Sequence, residues 1–243
     1  MALREEFERS GNWLFRWRSY LPLVFILLFL IALTDFRYPV GDHAWELFCL
    51  MISFCGLGFR MFTVGCAPRG TSGRNVTEQR ANVLNTTGVY SLIRHPLYFG
   101  NFVIWFGIIL SVRLWWFMAV AILIFWLYYE RIMFAEEEFL RKKFGDEYLK
   151  WANETPAFLP LKPQRWRKPN LSFSLKNALR REYSGFFAII SVFSVLALIK
   201  GRITEGEFVI DPLWAALFGF GLVVYLTFLI LKKKTKFLDV EGR

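Results

Sequence analysis

The chain has 243 residues, of which 55% are hydrophobic and 19% aromatic, and it carries a formal charge of +10. That apolar share exceeds what an ordinary soluble domain holds, so the length is better counted in membrane spans than in soluble domains. The three cysteines, Cys49, Cys55 and Cys66, have no CxxC spacing and no histidine partner, which argues against a structural zinc site and for reduced thiols acting as small hydrophobes.

The first nine residues are rich in charge. An apolar run follows at 17–34, with an uncharged core at 21–33 and Trp13, Trp17 and Tyr20 beside it as an interfacial belt. Asp35, Phe36 and Arg37 come next in place of a small-residue cleavage site, so the run is expected to be an uncleaved span and not a signal peptide. A second run covers 44–64, with Glu46 and Arg60 near its ends, where side chains can snorkel, and Gly56 and Gly58 inside it for close helix packing. Residues 65–87 are polar and too many for a plain turn, and a loop of that length is usually functional or disordered. Pro96 opens a third run that continues to about 112. Only Arg113 separates it from a fourth run at 114–129, so the two are expected to form a tight hairpin. The fourth helix then keeps helical spacing through 130–148, with a Glu137–Arg141 pair at i,i+4 and Gly145 as a stop or bend. A basic, proline-containing connector occupies 153–181. Two more runs follow at 183–199 and, after Asp211-Pro212, at 213–231.

This pattern predicts an all-α integral membrane protein of about six transmembrane helices, with a tight hairpin of helices three and four and a cytosolic helical extension. It divides into residues 1–64 with the first two helices, 65–160 with the loop, hairpin and extension, and 161–243 with the connector and last two helices. Of the 30 Lys and Arg residues, 26 fall within 4–18, 60–94, 131–181 and 232–243. The positive-inside rule then makes the protein multi-pass with both termini cytoplasmic. Basic residues spread over the loops of one leaflet also argue against nucleic acid as the partner and leave the lipid bilayer.

Three polar groupings converge on that inner face: the 65–87 loop, Arg94-His95 at the mouth of helix three, and Arg131 with Glu136 and Glu137 beyond helix four. A hairpin would bring the last two together, with Tyr98, around one pocket at the membrane surface. Arginine suits an anion, a carboxylate suits an amine or hydroxyl, and aromatic rings suit a flat ring. Taken singly, each piece has a plainer reading. A membrane-edge Arg-His pair is most often a snorkelling anchor, and a Glu-rich run followed by basic residues is usually a solvated helix face. Metal catalysis is disfavoured because His43 and His95 fall on opposite sides of the membrane, and no Gly-x-Ser-x-Gly elbow is present.

Taken together, Thr87-Gly88-Val89-Tyr90, Arg94-His95-Pro96-x-Tyr98-x-Gly100, Arg131-Ile132, Glu136-Glu137, Leu140, Phe144-Gly145 and Tyr148 resemble the isoprenylcysteine carboxyl methyltransferase and phospholipid methyltransferase superfamily. The resemblance covers about a third of the chain. It implies a membrane methyltransferase that uses S-adenosyl-L-methionine at the cytosolic face on a membrane lipid or lipidated substrate. By that resemblance Asn75, Asn82, Val83, Leu84, Asn85, Tyr90, His95, Pro96, Leu97 and Tyr98 line the cofactor pocket, and Arg94, His95 and Arg131 are the catalytic candidates. Arg131 also faces the acceptor group. Counting back from Phe144 assigns the cofactor's polar group to Glu136, with Glu137 second; counting forward from Arg131 reaches Ala135, which cannot hold it. A sulfonium methyl is already activated, so a carboxylate or phosphate acceptor needs mainly proximity and orientation, whereas an amine would also need a base. The arginines of the inner face favour O-methylation. N-methylation of an aminophospholipid, a reductase on a similar scaffold and a non-enzymatic transport or assembly protein are the alternatives.

Overall fold

A computed structural model of the chain describes residues 2–35, 41–68, 81–161 and 163–242. It contains seven helices: α1 (Leu3–Trp17), α2 (Leu21–Thr34), α3 (His43–Gly65), α4 (Pro96–Leu110), α5 (Trp115–Glu154), α6 (Leu175–Glu205) and α7 (Pro212–Lys234). Among the described residues there is no β-strand, only an isolated bridge between Gly88 and Arg167. The helix starts follow local chemistry. Asp42 Oδ1 accepts from the Trp45 N–H at 3.2 Å, Ser174 Oγ from the Asn177 N–H, and Asp211 Oδ1 from the Leu213 and Trp214 N–H groups, satisfying donors that a helix N-terminus leaves open. Pro96 and Pro212 supply a preset φ in the first turns of α4 and α7.

Helices α3, α5, α6 and α7 are each long and apolar enough to cross a membrane; Phe25–Thr34 of α2 and α4 are shorter apolar helices. With four such helices the chain is an integral membrane protein. Its main core joins Phe29, Cys49, Leu57, Ile108, Phe117, Phe125, Phe158, Ile189, Phe193 and Trp214, so residues from all three stretches of the sequence pack together. Helices α3 and α4 approach closely at Gly56, where a Cβ would stand 2.7 Å from the Gly100 carbonyl oxygen; Gly58 faces open space. Cys49 and Cys66 are buried, and Cys55 is exposed.

Several sequence expectations are corrected. The charged N-terminus is a full helix, α1, running antiparallel along the charged part of α5. Arg4 pairs with Glu138 and Lys142 with Glu8, both at 2.5 Å, the Phe7 and Phe134 rings meet at 5.7 Å, and the Tyr128 hydroxyl donates to the Leu14 carbonyl. Helix α6 begins at Leu175, inside the expected connector, because Ser174 caps it there. Gly145 bends α5 without ending it: its φ of 51° and ψ of −123° interrupt the helix, which resumes to Glu154. The Glu137–Arg141 pair does not form; Arg141 lies 3.7 Å from Glu138, and Glu137 turns toward α4. Glu46 does not snorkel. It is buried against Lys200 Nζ at 3.3 Å and accepts from Trp214 Nε1 at 2.8 Å, while Lys200 also donates to the Ser111 carbonyl.

Candidate active site

The site forms where α4 begins against the charged part of α5. Backbone pairing sets the entry of α4: the Arg94 and His95 N–H groups donate to the Pro156 and Ala157 carbonyls, at 2.9 and 3.0 Å. Arg94 Nη1 donates to the Ala152 and Thr155 carbonyls at 2.6 and 3.0 Å, closing the C-terminus of α5, and its Nε donates to Glu137 Oε1 at 2.9 Å. Arg94 is therefore committed to holding the two elements together.

His95 is buried and lies between two carboxylates. Its Nε2 is 2.9 Å from Glu137 Oε1 and its Nδ1 is 3.5 Å from Glu136 Oε2. Burial alone pulls its imidazolium down, but the hydrogen bonds and charges of Glu136 and Glu137 outweigh this and raise its pKa above the ordinary value. Both ring nitrogens therefore face acceptors, which suits the doubly protonated form. Burial pushes the Glu137 carboxyl up, but His95 and then Arg94 outweigh it and hold it at about 2. The hydroxyl of Tyr148 is buried beside this group and faces Glu137, adding to the hold on its carboxylate.

The two glutamates thus differ in their commitments. Glu137 accepts from Arg94 and His95 through one oxygen. Glu136 accepts from the Tyr98 hydroxyl at 2.7 Å through Oε1, and among the described residues its Oε2 has only the longer His95 contact. Glu136 keeps acceptor capacity for a ligand ammonium or hydroxyl, with the Tyr98 ring, 5.8 Å from the His95 ring centroid, as an aromatic wall.

The structure brings Arg94, His95, Tyr98, Glu136 and Glu137 together. Pro96 and Leu97 form the first turn of α4 beside them. Tyr90 lies in a single 3-10 turn, Val89–Ser91, and its carbonyl accepts from Trp151 Nε1 at 3.0 Å. Leu84 packs with Tyr148 and Trp151, while Val83 is exposed. Asn82 and Asn85 precede that turn, with Asn85 Oδ1 near the Thr87 N–H at 3.3 Å. Asn75 lies outside the described residues. Arg131 is not brought to the cluster: its Nη1 donates to Ser10 Oγ at 3.1 Å and its guanidinium covers the Phe7 ring at 4.3 Å, on the α1 side of α5. Five residues of an α-helix turn through about 140° beyond a full revolution, so Arg131 and Glu136 point to different neighbours.

One polar group beneath the cluster has no counterpart in the sequence expectations. Arg60 forms a two-point ion pair with the buried Glu182, Nε to Oε2 at 3.0 Å and Nη2 to Oε1 at 2.7 Å. Its Nη1 donates to Asn101 Oδ1 at 2.6 Å, and Asn101 Nδ2 donates to the Tyr129 hydroxyl at 3.2 Å. Arg60 is thus held within the bundle and does not snorkel. The signal was a lone Asn and a lone Arg inside apolar helices, residues expensive to place there without a partner.

A family model described as phospholipid methyltransferase matches residues 70–147, the stretch that carries this cluster. The chain is 32% identical over 135 residues to the cobalt-zinc-cadmium resistance protein CzcN of Cupriavidus metallidurans, covering 56% of this chain and 60% of that protein. It is 35% identical over 152 residues to the nickel-cobalt-cadmium resistance protein NccN of Alcaligenes xylosoxydans xylosoxydans, covering 61% and 67%. Over 149 residues it is 26% identical to the protein-S-isoprenylcysteine O-methyltransferase of Schizosaccharomyces pombe, covering 60% and 61%. The matched regions therefore span about two thirds or less of those relatives' lengths. No solved structure matches. The matched family region holds the stretch in which His95, Tyr98, Glu136 and Glu137 meet, and the chain belongs to the isoprenylcysteine carboxyl methyltransferase and phospholipid methyltransferase superfamily.

Proposed function

We propose that the chain is an S-adenosylmethionine-dependent methyltransferase that works at the cytosolic membrane face and methylates an anionic oxygen, carboxylate or phosphate, of a membrane lipid or lipidated substrate. The observation that carries this reading is the pair of glutamates around His95: Glu137 is locked to Arg94 and His95, and Glu136 retains a free acceptor beside the Tyr98 ring. That donor and acceptor set fits a zwitterionic cofactor with a flat ring system. Glu136 would hold its ammonium, Tyr90 and Tyr98 would flank its ring, and residues 82–85 would line the pocket. When bound, S-adenosylmethionine supplies a methyl group already activated on a sulfonium.

The chain's own work is then to bind and orient. His95 favours O-methylation over N-methylation, because both its ring nitrogens already face carboxylates that favour its protonated form, and a protonated imidazole is a poor base for an ammonium acceptor. A carboxylate or phosphate is already anionic near neutral pH and needs no base. Arg131, held by Ser10 and the Phe7 ring on the α1 side of α5, takes no direct part in this reading. In this reading α2 and α4 cross the membrane as well as the four longer helices, α4 and α5 form a transmembrane hairpin, and both termini are cytosolic. Among the described residues, the charges of Arg4, Arg60, His95 and Glu136 then lie at one end of the bundle and those of Asp42, His43, Arg113 and Lys200 at the other.

Binding of radiolabelled S-adenosylhomocysteine to the purified chain in phosphatidylcholine nanodiscs tests the proposal. Saturable binding is expected, weakened about tenfold or more by Glu136→Gln, since a hydrogen bond to a charged group is worth roughly 1.5–3 kcal/mol. Glu138→Gln, on the α1 side, should bind as the wild type does. No saturable binding by the wild-type chain would refute it.

A further inference from the structure

The hydrogen bonds beneath the cluster can be oriented without ambiguity. A carboxylate only accepts and a guanidinium only donates, so Glu182 receives from Arg60. Arg60 Nη1 then requires an oxygen on Asn101, which fixes the amide with Oδ1 toward Arg60 and Nδ2 toward Tyr129. Asn101 Nδ2 can only donate, so the Tyr129 oxygen accepts and its own proton points elsewhere. That hydroxyl has no acceptor among the described residues, although Tyr129 is buried. A buried donor left unmade is costly, more than packing alone would justify.

The surroundings indicate what that donor meets. The Tyr129 ring lies 4.9 Å from the Tyr98 ring, whose hydroxyl is on Glu136, so the two phenols hang from adjacent rings at the floor of the site. On the membrane side the Tyr129 ring stacks on Phe125 at 4.3 Å, and Phe102 and Phe158 continue the apolar surface. Charged residues begin at the next position, Glu130. The donor therefore sits where an apolar wall gives way to the polar cluster, the place where a lipid's head and tail divide.

We propose that the Tyr129 hydroxyl donates to the acceptor oxygen of the anionic lipid substrate, and that Glu182, Arg60 and Asn101 are positioning residues that turn its proton toward that oxygen. The assignment rests on the methyltransferase reading above, and it gives α6 a part in the site through Glu182.

The test uses the full chain in mixed micelles with total polar lipid extract of the expressing cells as acceptor and S-adenosylmethionine carrying a tritiated methyl group. Tyr129→Phe removes the donor. Asn101→Asp keeps an acceptor for Arg60 but offers the Tyr129 proton a carboxylate, turning it away from substrate. Both variants should bind S-adenosylhomocysteine within about twofold of wild type and raise the lipid KM about tenfold or more. Tyr129→Phe should also unfold at or near the wild-type temperature, and it carries the test alone if Asn101→Asp does not fold. Wild-type KM and kcat for Tyr129→Phe would overturn the inference, as would loss of its S-adenosylhomocysteine binding, which would assign the hydroxyl to the cofactor. Failure of the wild-type chain to bind S-adenosylhomocysteine counts against the methyltransferase reading itself and removes the inference with it.

Discussion

Replacing Glu137 with glutamine separates the structural glutamate from the ligand-binding one. Glu137 Oε1 receives Arg94 Nε and His95 Nε2, both at 2.9 Å, and these contacts tie the start of α4 to α5. The carboxyl is held at about 2, against an ordinary value of 4.5. At 1.36 kcal/mol per unit, the charged form is favoured in the fold by about 3 kcal/mol. The side chain is 24% exposed, so little of this is lost to solvent screening. Because the folded value is depressed, the contribution is present above pH about 4.5 and is lost as pH falls toward about 2. At neutral pH Glu137→Gln should therefore lower the unfolding free energy by about 3 kcal/mol and the unfolding midpoint by roughly 5–10 °C. Thermal unfolding of the detergent-solubilised protein, followed by tryptophan fluorescence, measures this. Glu136→Gln keeps an amide oxygen for the Tyr98 hydroxyl and loses the charge facing His95 Nδ1 at 3.5 Å, a longer contact than that of Glu137, so its midpoint should fall less than that of Glu137→Gln. Equal midpoints for Glu137→Gln and wild type, or an equal fall for both glutamine variants, would refute the division of roles between the two glutamates.

His95 has a raised folded pKa, so the stability it contributes is complete below its unfolded value of 6.5 and is lost as pH rises through the folded one. Unfolding midpoints measured across pH 6 to 10 should fall on the alkaline side, and His95→Gln should flatten that limb. Gly56→Ala places a Cβ 2.7 Å from both the Gly100 carbonyl oxygen and the Ile104 N, backbone atoms that cannot swing aside. It should destabilise the α3–α4 pair by about 1–3 kcal/mol, whereas Gly58→Ala, facing open space, should be neutral or stabilising in the same melts.

Much of the helix order was legible in the chain because each apolar run carries its own start signal. Pro96 and the Asp211-Pro212 pair mark α4 and α7 within about a residue, since capping is local chemistry. Helix α1 was not legible. Its charges mark no apolar run of their own, and only the facing charges and rings of α5, more than a hundred residues away, turn them into a packed surface. The same holds for Arg60 and Glu46, each plausible as a snorkelling end until Glu182 and Lys200 arrive from α6 to pair with them. The sequence alone determined the apolar helices and pointed to the gathering of Arg94, His95, Tyr98, Glu136 and Glu137, because these depend on composition and spacing along the chain. The tertiary structure decided which groups remain free there. Hydrogen-bond partners are set by which helix faces meet, and among the described residues that geometry commits Arg94 and Glu137 to each other, turns Arg131 toward α1, and leaves Glu136 Oε2 with the longer His95 contact and the Tyr129 proton without an acceptor.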